Sequence, residues 1–548
     1  MHTKDQGIGS RGATRWTVGL LASGLFAATA AGQAPDLRLV EAVQRQDAVT
    51  ARALVLKKVD VNTAQGDGAT ALAWAAHWDD VETANLLIRA GASVNTANEL
   101  GVTPLMLAAV NGSGQMLGRL LEAGADAAVA RPSGETALMM AARSGSREAV
   151  QVLIDRRADV NTKTQRGLTA LMWASAENHP DVVRLLLANG ADVSARSAAR
   201  TPPNRNYANR SDADVAKAPR PLLHENEARN PEYFRDALRA KESPRAEGGF
   251  TPLLYGVVSG SIDVVQLLLA AGASVDELAP DGMSPLVLSL VKRHEPLALF
   301  LLERGANPNS AGTGYTALHV ASITGQVEAA KALVARGANL NARLEKPVSF
   351  TEAFVTGTKV SPGAGWLDIT GATPFMIAAR GVNVPIMKIL VDAGADPRLR
   401  ADDGTTAVML SSGLGKRADA DIGYYTWDVT RAIESVELGL SLGIDVNASN
   451  TEGETALHAA TYHAANPLID VLLKAGAQIN ALNAQKQTPL LIAQGHLICC
   501  TSFQRHTEAA ALLLERGADQ SAGVRLNFGL GNYGDNQSGQ AAKPSSER

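Results

Sequence analysis

Residues 101–126 read GVTPLMLAAVNGSGQMLGRLLEAGAD, and two landmarks in that stretch decide the fold. The first runs from Gly101 through Thr103 and Pro104 to Leu105. The second is Gly124-Ala125, twenty-one residues after Thr103. Thr103 suits a helix N-cap, where its hydroxyl accepts a hydrogen bond from an orphan backbone N–H, and Pro104 is preset for the first helical position. Leu105 to Ala109 then gives a short helix whose small residues let a neighbour approach closely. A second helix follows, with paired apolar residues most plainly seen in Val182-Val183-Arg184-Leu185-Leu186-Leu187. Glycine at its end enters the left-handed conformation without Cβ strain.

The same landmarks recur along the chain. The capping residue falls at Thr70, Thr103, Thr136, Thr169, Thr251, Ser284, Thr316, Thr373, Thr406, Thr455 and Thr488, and seven of the ten intervals are 32 or 33 residues. The other three are 82, 57 and 49, which marks insertions. Gly-Ala recurs at Gly91, Gly124, Gly190, Gly272, Gly305, Gly337, Gly394 and Gly476; Arg157-Ala158 replaces it once, and Gly443 and Gly517 mark two irregular units. Asp-Val-Asn or a close variant follows, as at Asp159-Val160-Asn161, and starts an extended segment and turn. One such unit cannot bury its own apolar faces, but stacked neighbours can.

This pattern resembles the ankyrin repeat, whose motif is Thr-Pro-Leu-His-x-Ala at a 33-residue period. The resemblance implies an all-α fold: an α-solenoid of stacked helix-turn-helix repeats with short β-hairpin loops. It covers about residues 36–521 outside the insertions and gives twelve repeats, the first being a degenerate capping unit over 36–66. Repeats one to five occupy 36–196, six to eight 249–342, and nine to twelve 371–521. The motif histidine survives only at His319 and His458, which are read as structural.

Four insertions break the period. Residues 197–248 carry six prolines among mixed charges, and disorder and function both stay open for them. Residues 343–370 hold Phe350, Phe354 and Trp366; two shorter insertions lie at about 416–430 and 497–506. The Gly-, Asn- and Gln-rich tail at 522–548 is expected to be disordered.

The first thirty residues read as an address. Arg11 and Arg15 precede an uncharged run from Trp16 to Ala31 that ends in small residues, as in a secretory signal peptide cleaved after Ala30. The run falls short of the ~20 apolar residues that a spanning helix needs. The mature chain is therefore expected to be exported, periplasmic or extracellular, with no stable membrane insertion. Cys499 and Cys500 are the two cysteines of the chain, and a disulfide between neighbours is strained.

Composition excludes several functions. The net charge of −4, from 51 basic and 55 acidic residues, is not that of a polybasic nucleic-acid binder. Aromatics make up 4% against 46% hydrophobic residues, so Ala and Leu carry the core, as in closely stacked helices. Gly439-Leu440-Ser441-Leu442-Gly443 matches the G-x-S-x-G elbow but sits at the end of a second helix, not between strand and helix. No spacing suited to a metal, a cofactor or a catalytic set is found, so none of the three is expected.

The resemblance instead implies binding of a protein partner on a concave face made of hairpin tips and first helices, by a chain that is a monomer. Carried over by position, the exposed residues are Leu168, Phe250, Met283 and Tyr315 before the cap, and Trp78, Arg143, Val258, Val291, Ile323, Arg380 and Tyr462 after the Ala pair. Trp74 and Trp173, one position before the Ala pairs, are read as core. An enzyme built by the insertions and a structural spacer in an envelope assembly are the alternatives.

Overall fold

The computed structural model describes residues 35–198, 248–345, 369–414, 428–495 and 506–524. Residues 1–34, among them the expected signal peptide, the tail after 524 and nearly all of the four insertions lie outside the described residues, as do Cys499 and Cys500. Among the described residues the chain forms 24 helices that alternate between a first and a second helix of each unit. Each unit is named below by its capping residue.

Local chemistry sets both ends of each helix. In the Thr70 unit, Thr70 is extended (φ −99°, ψ 166°) and its hydroxyl accepts from the Ala73 N–H, opening the first helix, Ala71–His77. The same cap opens Pro104–Asn111, Ala137–Ser144, Ala170–Ala176 and Pro252–Ser259. Second helices such as Val81–Arg89 and Pro180–Ala188 end two residues before a glycine, with one capping residue between. Gly91, Gly190 and Gly337 occupy equivalent ends at φ of 89°, 80° and 77°. A Cβ there would meet no atom within 4 Å, so dihedral freedom alone selects glycine.

Units stack by burying the Ala pairs. Ala75, Ala76, Ala108, Ala109, Ala141 and Ala142 are fully buried, and one continuous apolar core runs from Leu39 to Ala518. Hairpin tips close through bonds such as Asn98 N–H to Val102 O, 3.0 Å. The expected β character reduces, among the described residues, to isolated bridges at Ala64–Thr70 and Ala130–Thr136. The tips are too short to extend a ladder, and they bond to one another unit by unit instead. Glu99 N–H donates to Asp67 O and Gln165 N–H to Ser133 O, both at 2.9 Å.

Two further sets of bonds join each unit to the next. The Asn of Asp-Val-Asn is a two-way clamp: Asn95 Nδ2 donates to Gly124 O (3.1 Å) while its Oδ1 accepts from the Asp126 N–H (2.9 Å). Asn62, Asn161, Asn309 and Asn447 do the same. Ala128 and Ser194 stand in this register without the clamp. At the other end of the unit, the orphan carbonyls of most first helices receive a donor from the following unit. Asn111 Nδ2 donates to Ala76 O and His77 O. His179 Nε2 reaches Arg143 O at 3.0 Å, His294 Nε2 reaches Val258 O at 3.2 Å, and His463 Nε2 reaches Gly413 O at 3.0 Å. A carbonyl partner makes Nε2 the protonated nitrogen in all three rings.

The array stays in register across the insertions. Ser197 N–H donates to Phe250 O and the Phe250 N–H to Ser197 Oγ, both at 3.0 Å, so one hairpin is built from either side of 199–247. Leu344 N–H to Ala372 O (3.0 Å) does the same across 346–368. His319 locks that second junction: its Nδ1 accepts from the Thr316 N–H and its Nε2 donates to Ala372 O at 3.2 Å.

Asn95→Ala, which removes two interunit bonds, is expected to lower stability by about 1–2 kcal/mol. Ala128→Asn, which supplies a missing clamp, is expected to raise it by a similar amount. Urea midpoints of the two variants test both signs. Burial holds His319 neutral by pushing its pKa down to about 4 from 6.5. The unfolded chain therefore takes up a proton first as pH falls. This residue's contribution weakens from pH 6.5 downward and is about 3 kcal/mol smaller below pH 4. An imidazole NMR titration of His319 checks the pKa, and His319→Gln should remove that part of the pH slope.

Candidate protein-binding surface

First helices pack against first helices from unit to unit and form one layer of the array, the layer that the resemblance makes the inner face, and its register is fixed by the capping residue. The residue before the cap and those four, seven and eight positions after it are the ones that neighbours leave open. At the fourth position Trp74, Leu107, Met140, Trp173 and Tyr255 are half-buried, whereas Leu288, Val320, Ile377, Leu410 and Ile492 are fully buried. At the seventh, His77, Val110 and Arg143 are exposed and Ala176 and Val258 half-buried. The open part of the inner face thus spans the Thr70 to Thr251 units.

Its side chains are held in place. The Trp74 and Trp78 rings stack at 6.3 Å and 23°, and His77 meets both edge-on at 5.6 and 4.6 Å. Trp74 Nε1 donates to Gln65 Oε1 (2.9 Å), Gln65 Nε2 to Gln44 Oε1 (2.8 Å), and Trp78 Nε1 to Gln44 O (3.2 Å). Two units on, the Arg143 guanidinium lies 5.1 Å over the Trp173 ring and 3.7 Å from Glu177 Oε1. Trp78 and Val110 keep 43% and 55% of their surface in water, large values for an apolar side chain. Burial pushes the His77 pKa below its usual value, which leaves the ring neutral at pH 7.

Of the residues expected from sequence, Trp78 and Arg143 are exposed, Leu168, Phe250 and Val258 are half-buried along the same stretch, and Met283 is half-buried just beyond it, before the Ser284 cap. Phe250 packs edge-on to Tyr255 at 5.7 Å. Val291 and Tyr315 are buried, at 8% and 4% exposure, and belong to the apolar core, so their assignment to a contact surface is corrected. Position in the period sets the direction in which a side chain leaves its helix, not whether the surroundings then enclose it. Ile323 and Arg380 are half-buried, and burial lowers the Arg380 pKa to about 10. Tyr462 is half-buried, with its hydroxyl donating to Glu454 Oε1 at 2.7 Å.

Trp74 and Trp173 are not enclosed core residues; each keeps one side on the open stretch. The signal for them was the run of large side chains at the fourth position in five successive units. Ser441 closes the helix Val429–Ser441, and its hydroxyl donates back to Leu438 O at 2.8 Å, a geometry unlike a nucleophile elbow. Among the described residues no group of three or more His, Cys, Asp or Glu could hold a metal ion, and no helix is long and apolar enough to cross a membrane.

Stacked helical hairpins with an open, aromatic inner face define an α-solenoid of the binding-repeat class. A three-copy ankyrin-repeat model matches residues 39–131, 115–197, 253–343 and 430–523, and a single ankyrin-repeat model matches 370–402. The chain belongs to the ankyrin-repeat family. It is similar to the mouse B-cell lymphoma 3 protein homolog, 31% identical over 279 residues (50% of this chain, 46% of the relative). It is also similar to the Arabidopsis thaliana E3 ubiquitin-protein ligase KEG, 27% identical over 279 residues (47% of this chain, 16% of the relative). The Neurospora crassa ankyrin repeat protein nuc-2 is 29% identical over 163 residues (28% of this chain, 15% of the relative). The matched stretches span less than half of each relative.

Arg143→Ala should expose the Trp173 ring. A red shift and increased acrylamide quenching of tryptophan fluorescence, at unchanged helical circular dichroism, is the expected result.

Proposed function

We propose that the chain is an exported, non-enzymatic adaptor of twelve ankyrin repeats that binds another protein through the open inner face of the Thr70 to Thr251 units. The observation that carries this reading is the half-open fourth position of those five units, with the preorganised Trp78 ring and Val110 standing in water beside it, whereas the fourth position is buried in every later unit among the described residues. Exposed apolar patches of this kind mark contact surfaces. A few aromatic and arginine anchors carry most of the affinity in such interfaces, and Trp78, Trp173 and Arg143 are of those types. Rings already fixed by hydrogen bonds lose little entropy when a partner docks. The ankyrin repeats of this chain, a module that typically mediates protein–protein interaction, support the same reading. The leader at 1–30 supports export.

The test is affinity capture from the exported fraction with the mature chain as bait. Trp78→Glu with Val110→Glu should reduce recovery of the bound protein at least tenfold, because both side chains face water and their loss leaves the core intact. Tyr315→Glu is unsuitable, since it would bury a charge. Recovery unaffected by the double variant would sink the reading. For export, the intact mass of the chain recovered outside the cytoplasm should correspond to loss of residues 1–30.

A further inference from the structure

The array contains its own template for what Trp78 lacks. In the Thr169 unit, Trp173 is covered by a cation: Arg143, from the seventh position of the preceding unit, lies 5.1 Å over the ring, with Glu177 at 3.7 Å as its counter-ion. The Thr70 unit has tryptophan at the same fourth position, but the residue corresponding to Arg143 in the unit before it is Gln44. At the eighth position, where the Thr169 unit has Glu177, it has Trp78, which stacks on Trp74 and keeps its far side in solvent. One tryptophan site therefore carries its arginine, and the other presents a second ring and no cation.

We propose that the exposed face of Trp78 receives an arginine or lysine side chain of the bound partner. This rests on the reading of the inner face as a partner surface. Three observations favour a cation over other occupants. Both indole N–H groups are already spent, on Gln65 Oε1 and Gln44 O, so the pair offers a π face and no donor for a polyproline carbonyl. The chain after Trp78 is acidic: Asp79 is exposed at a left-handed turn position (φ 58°), and Asp80 caps the next helix. The neighbouring bases do not oppose a cation, since Arg45 pairs with Glu41 at 3.4 Å and His77 is neutral. An ammonium or guanidinium over an indole, with carboxylates beside it, is a favourable cation–π arrangement, and more so with arginine than with lysine because the planar guanidinium also stacks.

The experiment selects a phage-displayed library of random peptides, about twelve residues long, on the full mature chain and on its Trp78→Leu variant, which keeps the apolar surface but has no π face. Peptides selected by the natural chain should be enriched in arginine or lysine at one position, and the enrichment should vanish with Trp78→Leu and return in part with Trp78→Phe. In calorimetric titrations, replacing that arginine by neutral citrulline should weaken binding about 3- to 30-fold on the natural chain and leave it unchanged on Trp78→Leu. Selected peptides that depend on Trp78 but carry no cation, or an equal citrulline effect on both chains, would overturn this inference alone. Binders indifferent to Trp78, Val110 and Arg143 together would overturn the inner-face reading beneath it.

Discussion

Everything in this fold depends on the way one unit's loose ends are tied by the next. A helical hairpin of this size leaves carbonyls unpaired at the end of its first helix and a hairpin tip that cannot form a ladder by itself. The following unit supplies the partners: an Asn, Ser, His or Gln donor at the helix end, a backbone N–H at the tip, and the Asn clamp near the Gly turn. The bonds fix the spacing between neighbours, and the fully buried Ala pairs fit it in several units, while Val257 and Leu290 fill the same position in the Thr251 and Ser284 units. Close approach also decides some glycines. A Cβ on Gly134, at φ 86°, would sit 2.8 Å from the Thr164 Cα of the next tip.

Because the ties are between nearest neighbours, the array tolerates interruptions at the tips. Ser197 meets Phe250 in a single hairpin although 52 residues separate them in sequence. The inner face is a different matter. Its register repeats along the whole array, but its exposure does not: the seventh position, which carries solvent-facing Val110 early on, holds enclosed Val291 later. Exposure therefore divides the array unevenly, although the fold does not.

The caps, the two helices of each unit and the terminating glycines were all legible, since each depends on residues within one or two turns. Thr70, Thr103 and Thr169 cap as their hydroxyls require, and Gly91, Gly190 and Gly337 turn as expected. His319 and His458 were readable as structural, and both are buried, with Nδ1 turned to the capping Thr of their own unit. The Asn of Asp-Val-Asn looked like part of a local turn; its second partner lies about thirty residues away, beyond the reach of local rules.

Sequence alone thus settled that the chain is a stack of helical hairpins, because periodicity and capping are local chemistry repeated at a fixed interval. Whether a side chain pointing inward meets water, a neighbour or a cation was decided by tertiary structure. Trp78 and Tyr315 both occupy inner-face positions of the same period, yet one is open and the other enclosed. Exposure is a sum over every atom nearby, including those far off in the chain, and no motif encodes that sum.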